Sequence, residues 1–443
     1  MGDRPFRTRA AEIVRQFVGD DSPGVAVLVA REGQVLLEEG YGLADVKGRV
    51  PVTPGTRFII GSVTKQFTCL AVMMLQQEGR LDYDDPVGLH LPELPAWKDE
   101  VTLRHLMTHT AGVPEYLTEE FWEEARERDF DQQAVLARIR QFESLEFPPG
   151  EAWQYSNSGY VILGAVVEKV SGLDFATFLR RGIFQPLGMK DTLVGTAAQR
   201  YPGQAVGYRM LEEGGFEEAP YHRAVVGWAD GNIISTVRDL YICDRALREA
   251  VLLPPEVLQQ AFRPVRPEDP SFSRYGFGWF IGELRGVRVL QHAGGTLGYV
   301  ARFCRFPDQD AVIVLLSNAD GLDLEELAGA LAEELLRDQM QPLELLTSVP
   351  EEWLREKAGT YVPVRPRRER QIDVVYDEEK HRLFVPGRCL SLRADVELRP
   401  LSRDHFRLDG HSERYVTFLR QGDEITGARL VAGGRVANFG RIE

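Results

Sequence analysis

The stretch LGYVARFCRFPDQDAVIVLLSNAD, residues 297–320, decides how the rest of the chain is read. It holds two runs of strand length, GYVARFCRF and AVIVLLSN, rich in β-branched and aromatic residues and separated only by PDQD. So short a connection joins antiparallel neighbours, because a parallel crossover takes a dozen residues or more. A third run, VLQHAGG (289–295), stands just upstream. Near the start of the chain GVAVLVARE (24–32) and QVLLEEGYG (34–42) meet at Glu32–Gly33, a second hairpin signal. Amphipathic helices bracket these strands. Residues 7–17 place Ile13, Val14 and Phe17 on one face, and LDLEELAGALAEELLRD (322–338) places Leu324, Leu327, Leu331 and Leu335 on one stripe. The middle of the chain is mostly helical and loop-rich. The expected fold class is therefore α+β, an antiparallel sheet flanked by helices plus a helical region.

The pattern changes near QPLELLTSVPEEW (341–353). Beyond it come short alternating runs, QIDVVY, RLFVPG, HFRLDG, RYVTFLR and GARLVAGGRVANFGRIE, broken by the turn clusters DEEK and QGDE. Such spacing predicts a small antiparallel barrel or sandwich. Charge marks the same boundary: residues 351–443 carry 18 basic and 16 acidic residues, a net of +2, and the rest carries −17. A chain of 443 residues exceeds one ordinary core, and two or three domains are expected.

With 44% hydrophobic and 27% charged residues the chain reads as globular and soluble. Its acidity argues against nucleic acid as a partner, since no basic patch offsets the repulsion. Cys69, Cys243, Cys304 and Cys389 lie far apart with no CxxC, which points to reduced thiols rather than zinc or a disulfide framework. MGDRPFRTRAAEIVRQFVGDD lacks the apolar core of a signal peptide, and no run approaches the ~18 apolar residues that span a bilayer. A cytoplasmic address and no membrane partner are expected.

Three short motifs carry chemistry. In FIIGSVTKQFTCL (58–70) a helical pattern runs from Thr64 through Phe67, Leu70, Ala71, Met74 and Leu75, so Ser62 stands at its N-terminus with Lys65 one turn on. A serine hydroxyl needs a base to become a nucleophile, and one helical turn brings an amine within reach. The helix start favours developing negative charge. A capping serine beside a solvated lysine would look the same. With 14 serines and 7 lysines, chance supplies such a pair about 0.2 times. In WQYSNSGY (153–160) Tyr155 and Asn157 are two apart and Ser156 or Ser158 can cap the helix that follows. In QHAGGTLG (291–298) glycines after His292 let backbone N–H groups approach a ligand.

Together Ser62-x-x-Lys65, Tyr155-Ser156-Asn157 and His292-Ala293-Gly294 resemble the signature set of the penicillin-recognising serine hydrolases, in the variant of class C β-lactamases, DD-carboxypeptidases, D-aminopeptidases and esterases. HLMTHTAGV, DGNIISTVRDL, YGFGWFIGE and residues 297–320 are similar to that branch as well, and the likeness covers roughly residues 10–338. It implies a β-lactamase/transpeptidase-like hydrolase domain over residues 1–340, a linker over 341–352 and, over 353–443, the lipocalin-like β-barrel appended to some members. The roles it implies are Ser62 as acylated nucleophile, Lys65 as its deprotonating partner, Tyr155 as proton shuttle for leaving group and water, and Asn157 as holder of Lys65 and of a substrate amide. The N–H groups of Ser62 and Gly295 would form the oxyanion hole, with Gly294 beside them.

His292 departs from the lysine usual in β-lactamases, and a neutral imidazole attracts a substrate carboxylate less than an ammonium does. Small amides, D-amino-acid peptides or esters are the expected substrates, with no cofactor. Weighed against this are a β-lactamase and, from another class, a β-lactam-binding sensor or scaffold without turnover. His105 and His109 have metal-compatible i, i+4 spacing but no HExxH glutamate and no third ligand, so no metal is expected. Tyr116, Phe121, Trp122, Trp228 and Tyr299 are candidate cleft aromatics, although packing explains each as well. Oligomeric state is not legible. The barrel is expected to fence the cleft.

Overall fold

The structure, a computed structural model, describes residues 5–125, 130–195, 200–211, 213–220, 229–270, 272–364, 371–387, 395–409 and 414–442. Trp228 and Cys389 lie outside the described residues. The elements that build the body are, in chain order, α1 (Phe6–Val14), β1 (Val25–Arg31), β2 (Gln34–Tyr41), α2 (Thr64–Gln77) and α3 (Asn157–Ser171). They continue with β3 (Phe280–Leu284), β4 (Val287–Thr296), β5 (Tyr299–Phe306), β6 (Ala311–Ser317) and α4 (Leu324–Leu336).

The six strands form one antiparallel sheet in the order β3-β4-β5-β6-β1-β2. The expected hairpins are present, and the two ends of the body meet where Val25 to Arg31 pairs with Ser317 to Ala311. Glu32 and Gly33 both have positive φ, 53° and 75°, the two-residue turn whose twist suits a hairpin. Side chains alternate across a strand, and here both faces are covered. Ala26, Leu28 and Ala30 enter a core shared with α2 and α3, whereas Val25, Val27 and Val29 enter a second core with α1 and α4. The same split divides Val312, Val314 and Leu316 from Ala311, Ile313 and Leu315. Double coverage explains why these strands read as unbroken apolar runs. The Leu324, Leu327, Leu331 and Leu335 stripe packs into the second core as its period requires. α2 is buried nearly all round, from Thr64 to Met73, so it serves as the central helix of the body.

The C-terminal region is a closed eight-stranded antiparallel barrel running from Gly359–Pro363 to Arg435–Ile442. Side chains fill its interior, among them Tyr361, Leu383, Leu398, Phe406, Phe418 and Phe439. A sandwich, the alternative to a barrel, is excluded because the first and last strands pair, Thr360 with Ile442 through Pro363 with Phe439. The barrel touches the sheet through its last hairpin. At the turn Gly433–Gly434, the Arg274 N–H donates to Gly434 O at 2.8 Å and Gln291 Nε2 to Gly433 O at 3.2 Å. The Val436 N–H donates to Ser273 Oγ at 3.0 Å. Gly434 has φ 91°, and a Cβ there would stand 2.8 Å from Ile281 O, so only glycine fits this approach. A bidentate Arg414–Glu325 pair adds a polar link from the barrel to α4. Among the described residues no helix is long and apolar enough to cross a membrane.

Candidate active site

Ser62 lies on a 3₁₀ turn, Gly61–Val63, that feeds α2. It is not a cap: Val63 occupies the N-cap position and no side chain caps the helix. Its hydroxyl instead receives a hydrogen bond from Lys65 Nζ at 3.0 Å. Lys65 is fully buried, and its amine also donates to Asn157 Oδ1 at 2.7 Å and to the Asp230 backbone carbonyl at 2.7 Å. These two partners can only accept. They take two N–H groups and leave the third tetrahedral position, N–H or lone pair, aimed at Ser62 Oγ. The amine sits over the Tyr155 ring at 4.9 Å and the Tyr160 ring at 5.3 Å from their centroids.

Three distant segments thus converge as expected. Asn157 opens α3, and Ser156 caps that helix by accepting from the Gly159 N–H. Ser158 has a different task, accepting from the Tyr116 N–H at 2.9 Å. β4 brings Gly294 and Gly295 against the Ser62 turn. A Cβ on Gly294 would lie 1.9 Å from Ile60 O and 3.2 Å from Ser62 N, so its absence is what allows strand and turn to meet.

His292, also on β4, is 2% exposed. Its Nδ1 lies 2.6 Å from the Ala293 carbonyl, which can only accept, so Nδ1 carries the proton. Nε2 then accepts from Tyr275 Oη at 2.9 Å. Burial, reinforced by the nearby Lys65 charge, drives its pKa down to about 3. The imidazole is neutral and both nitrogens are occupied.

Several groups that the sequence did not single out complete the site. Glu115 Oε2 accepts from the Asn157 N–H at 3.0 Å and from Asn157 Nδ2 at 3.2 Å, so the amide expected to reach a substrate faces a carboxylate. Asp230, the first residue of DGNIISTVRDL, accepts from Tyr116 Oη at 2.9 Å, while its Oδ1 is buried with no hydrogen-bond partner among the described residues. Tyr275, from YGFGWFIGE, bonds His292. The nearest sequence signal for Asp230 and Tyr275 was membership of those stretches; Glu115 had none.

Burial pushes the Asp230 pKa up to about 6, against the opposing pull of Lys65 and of the Tyr116 hydroxyl. An acid whose folded pKa is raised favours the fold while protonated. That contribution is complete below its unfolded value of 3.8 and is lost as pH rises through about 6. The swing is about 3 kcal/mol. Asp230→Asn should therefore flatten the stability profile: between pH 4 and pH 8 the parent chain loses about 3 kcal/mol more than the variant in denaturant titrations. Parallel profiles would contradict the assignment.

Of the other expected residues, Tyr116 and Phe121 are fully buried against each other, Tyr299 is 1% exposed with its hydroxyl on Ala205 O, and Trp122 packs partly buried beside Phe121. They are packing residues rather than open cleft wall. His105 closes a capping box with Thr102, and no metal-holding group of His, Cys, Asp or Glu occurs among the described residues. Cys69 and Cys243 are buried free thiols, and Cys304, also buried, donates to Gln291 Oε1 at 3.5 Å.

The family described as Beta-lactamase matches residues 10–336. Penicillin-binding protein 4* of Bacillus subtilis (strain 168) is 32% identical over 71% of this chain and 72% of its own length. D-aminopeptidase of Gluconobacter oxydans (strain 621H) is 28% identical over 78% of this chain and 65% of its own. The octameric penicillin-binding protein homologue from Pyrococcus abyssi superposes with a TM-score of 0.66 at 25% identity, covering 98% of this chain and 99% of that one, so the likeness includes the barrel. A D-stereospecific amidohydrolase from Streptomyces sp. matches with a TM-score of 0.64 at 26% identity over 74% of this chain and 98% of that one.

Proposed function

The chain belongs to the Beta-lactamase family, and from that premise we propose that it is a serine hydrolase that forms an acyl-enzyme on Ser62 and cleaves small amides, D-amino-acid peptides or esters. The observation that carries this reading is the 3.0 Å contact between Ser62 Oγ and a buried Lys65 whose other partners are fixed acceptors. With its amine neutral, Lys65 takes the Ser62 proton as Oγ attacks the carbonyl carbon and becomes an ammonium. Tyr155, whose ring lies under Nζ, gives its proton to the leaving group and regains one from Lys65; in the second half it takes a proton from the attacking water while passing its own to Lys65, which returns it to Ser62 Oγ as the acyl bond breaks. The N–H groups of Ser62 and Gly295 hold the oxyanion, each worth roughly 10²–10³ in rate.

The charge pattern supports a narrower substrate class. A neutral, doubly bonded His292 offers nothing to a free carboxylate, whereas Glu115 brings negative charge to Asn157. Substrates with a free amine beside the scissile carbonyl, such as amides of amino-terminal D-residues, suit this pattern. The relatives named D-aminopeptidase and D-stereospecific amidohydrolase point the same way.

The test is a panel of D-alanyl p-nitroanilide, its N-acetylated form, p-nitrophenyl esters and nitrocefin. Acetylating the amine should lower kcat/KM by about 10–100-fold, the scale of one charge-assisted hydrogen bond. Glu115→Gln, which keeps an acceptor for Asn157, should lower turnover of the free amine similarly and leave the acetylated form unchanged. Fast nitrocefin turnover without amide or ester hydrolysis would reverse the reading of His292.

A further inference from the structure

We propose that His109 is a positioning residue that sets the aim of the Tyr155 phenol by gripping the chain on both sides of it. This rests on the role of Tyr155 given above and extends it to a residue that the sequence weighed as a metal ligand and set aside.

Among the described residues none hydrogen-bonds the Tyr155 hydroxyl, so its direction depends on its backbone and on what its ring rests against. His109 supplies both. Its carbonyl accepts from the Gln154 N–H at 2.9 Å, and its Nδ1 accepts from the Ser156 N–H at 3.2 Å. The residues immediately before and after Tyr155 are thus held by the same side chain and peptide. The His109 ring lies on the Tyr155 ring with centroids 4.3 Å apart, nearer than Trp153 at 6.4 Å or His292 at 6.2 Å.

The same imidazole packs on Tyr275 at 4.7 Å and Tyr160 at 5.0 Å. Tyr275 is bonded to His292, and Tyr160 lies below Lys65 Nζ. One ring is therefore the common floor of the phenol, the amine and the β4 histidine. Accepting from Ser156 requires Nδ1 to be unprotonated, so the proton resides on Nε2 and the ring is a neutral acceptor, not an acid. The residue is 2% exposed and adopts φ 59°, a left-handed backbone unusual for a side chain with a Cβ. Such strain persists where surrounding contacts over-determine it, and here it turns carbonyl and Nδ1 toward the same short segment.

Two variants separate strain from grip. His109→Gly tolerates the backbone and removes the ring. His109→Asn tolerates it too, and its Oδ1 can stand in for Nδ1 as acceptor for Ser156. Each is measured alone and combined with Tyr155→Phe, on whichever substrate the parent turns over best. His109→Gly should lower kcat about 100-fold with KM within about threefold, since ~1 Å of misplacement costs that much. His109→Asn should recover part of the loss, falling about tenfold. The decisive reading is coupling: a residue acting through Tyr155 makes the double variant no slower than Tyr155→Phe alone. Full additivity with Tyr155→Phe, or kcat within twofold of the parent in both single variants, overturns the proposal. If the glycine variant does not fold, the asparagine cycle decides by the same criterion. Tyr155→Phe alone reports on the broader reading, because undiminished turnover there removes Tyr155 from the chemistry whatever His109 does.

Discussion

Ser62→Ala should reduce turnover by about 10⁴-fold or more and abolish labelling by a fluorophosphonate probe. The size follows from what is removed. Ser62 Oγ is the atom that forms and later loses the bond to the acyl group, and among the described residues no other hydroxyl is bonded to Lys65 Nζ. What survives is the catalysis that the oxyanion donors and binding supply without a nucleophile. The substitution deletes one half-buried oxygen and should leave the melting temperature nearly unchanged, so lost activity will not be confused with lost structure. Equal labelling of variant and parent would move the nucleophile elsewhere. Slow residual turnover without labelling is compatible with water attacking directly.

Lys65→Met should be the second most damaging change, about 10³-fold in the rate of acylation read from burst kinetics. Methionine fills the volume but donates nothing. Asn157 Oδ1 and the Asp230 carbonyl then lose their donor inside the protein, each at a cost of about 1–3 kcal/mol, so this variant should also melt lower. Lys65→Arg should not rescue it. A guanidinium is broader, does not deprotonate, and cannot meet three acceptors arranged around one nitrogen. Acylation within about tenfold of the parent in Lys65→Met would transfer the base role to Tyr155.

The parts of this architecture visible in the sequence are those governed by local rules. β1 and β6 are continuous apolar runs because both faces are covered, and their turns carry the marks of tight hairpins. The barrel strands alternate because only one face meets a core. The sequence pattern carries α1 to Phe17, whereas the helix ends at Val14 and gives way to turns, with Phe17 still packed on the second core. Ser62 and Lys65 were legible because one helical turn links them. Tyr155, Asn157 and His292 could be joined to them only through resemblance, since no local rule connects residues so far apart. Glu115, Asp230, Tyr275 and His109 were not assigned roles at all. Each meets the centre through a contact across a fold boundary, and each residue type has an ordinary explanation when seen in isolation. His109 shows the difficulty most clearly. Its spacing from His105 suggested a metal pair, whereas the two rings serve separate structural ends, one in a capping box and one under Tyr155.

The Gly433–Gly434 turn bears on how the body would behave by itself. β3 is the outermost strand of the six-stranded sheet, and the barrel's last hairpin lies against it at Ile281 and Gly282. An outer strand left bare is a template for pairing with another chain, and proteins commonly blunt it with a covering segment. Here the cover is shared: the Ile281 N–H donates to Arg274 O at 2.8 Å, and Gly434 from the far end of the polypeptide lies over the Ile281 carbonyl. A body produced without its barrel would carry an open, adhesive border, and clumping of copies along that border would set in before any change at the serine.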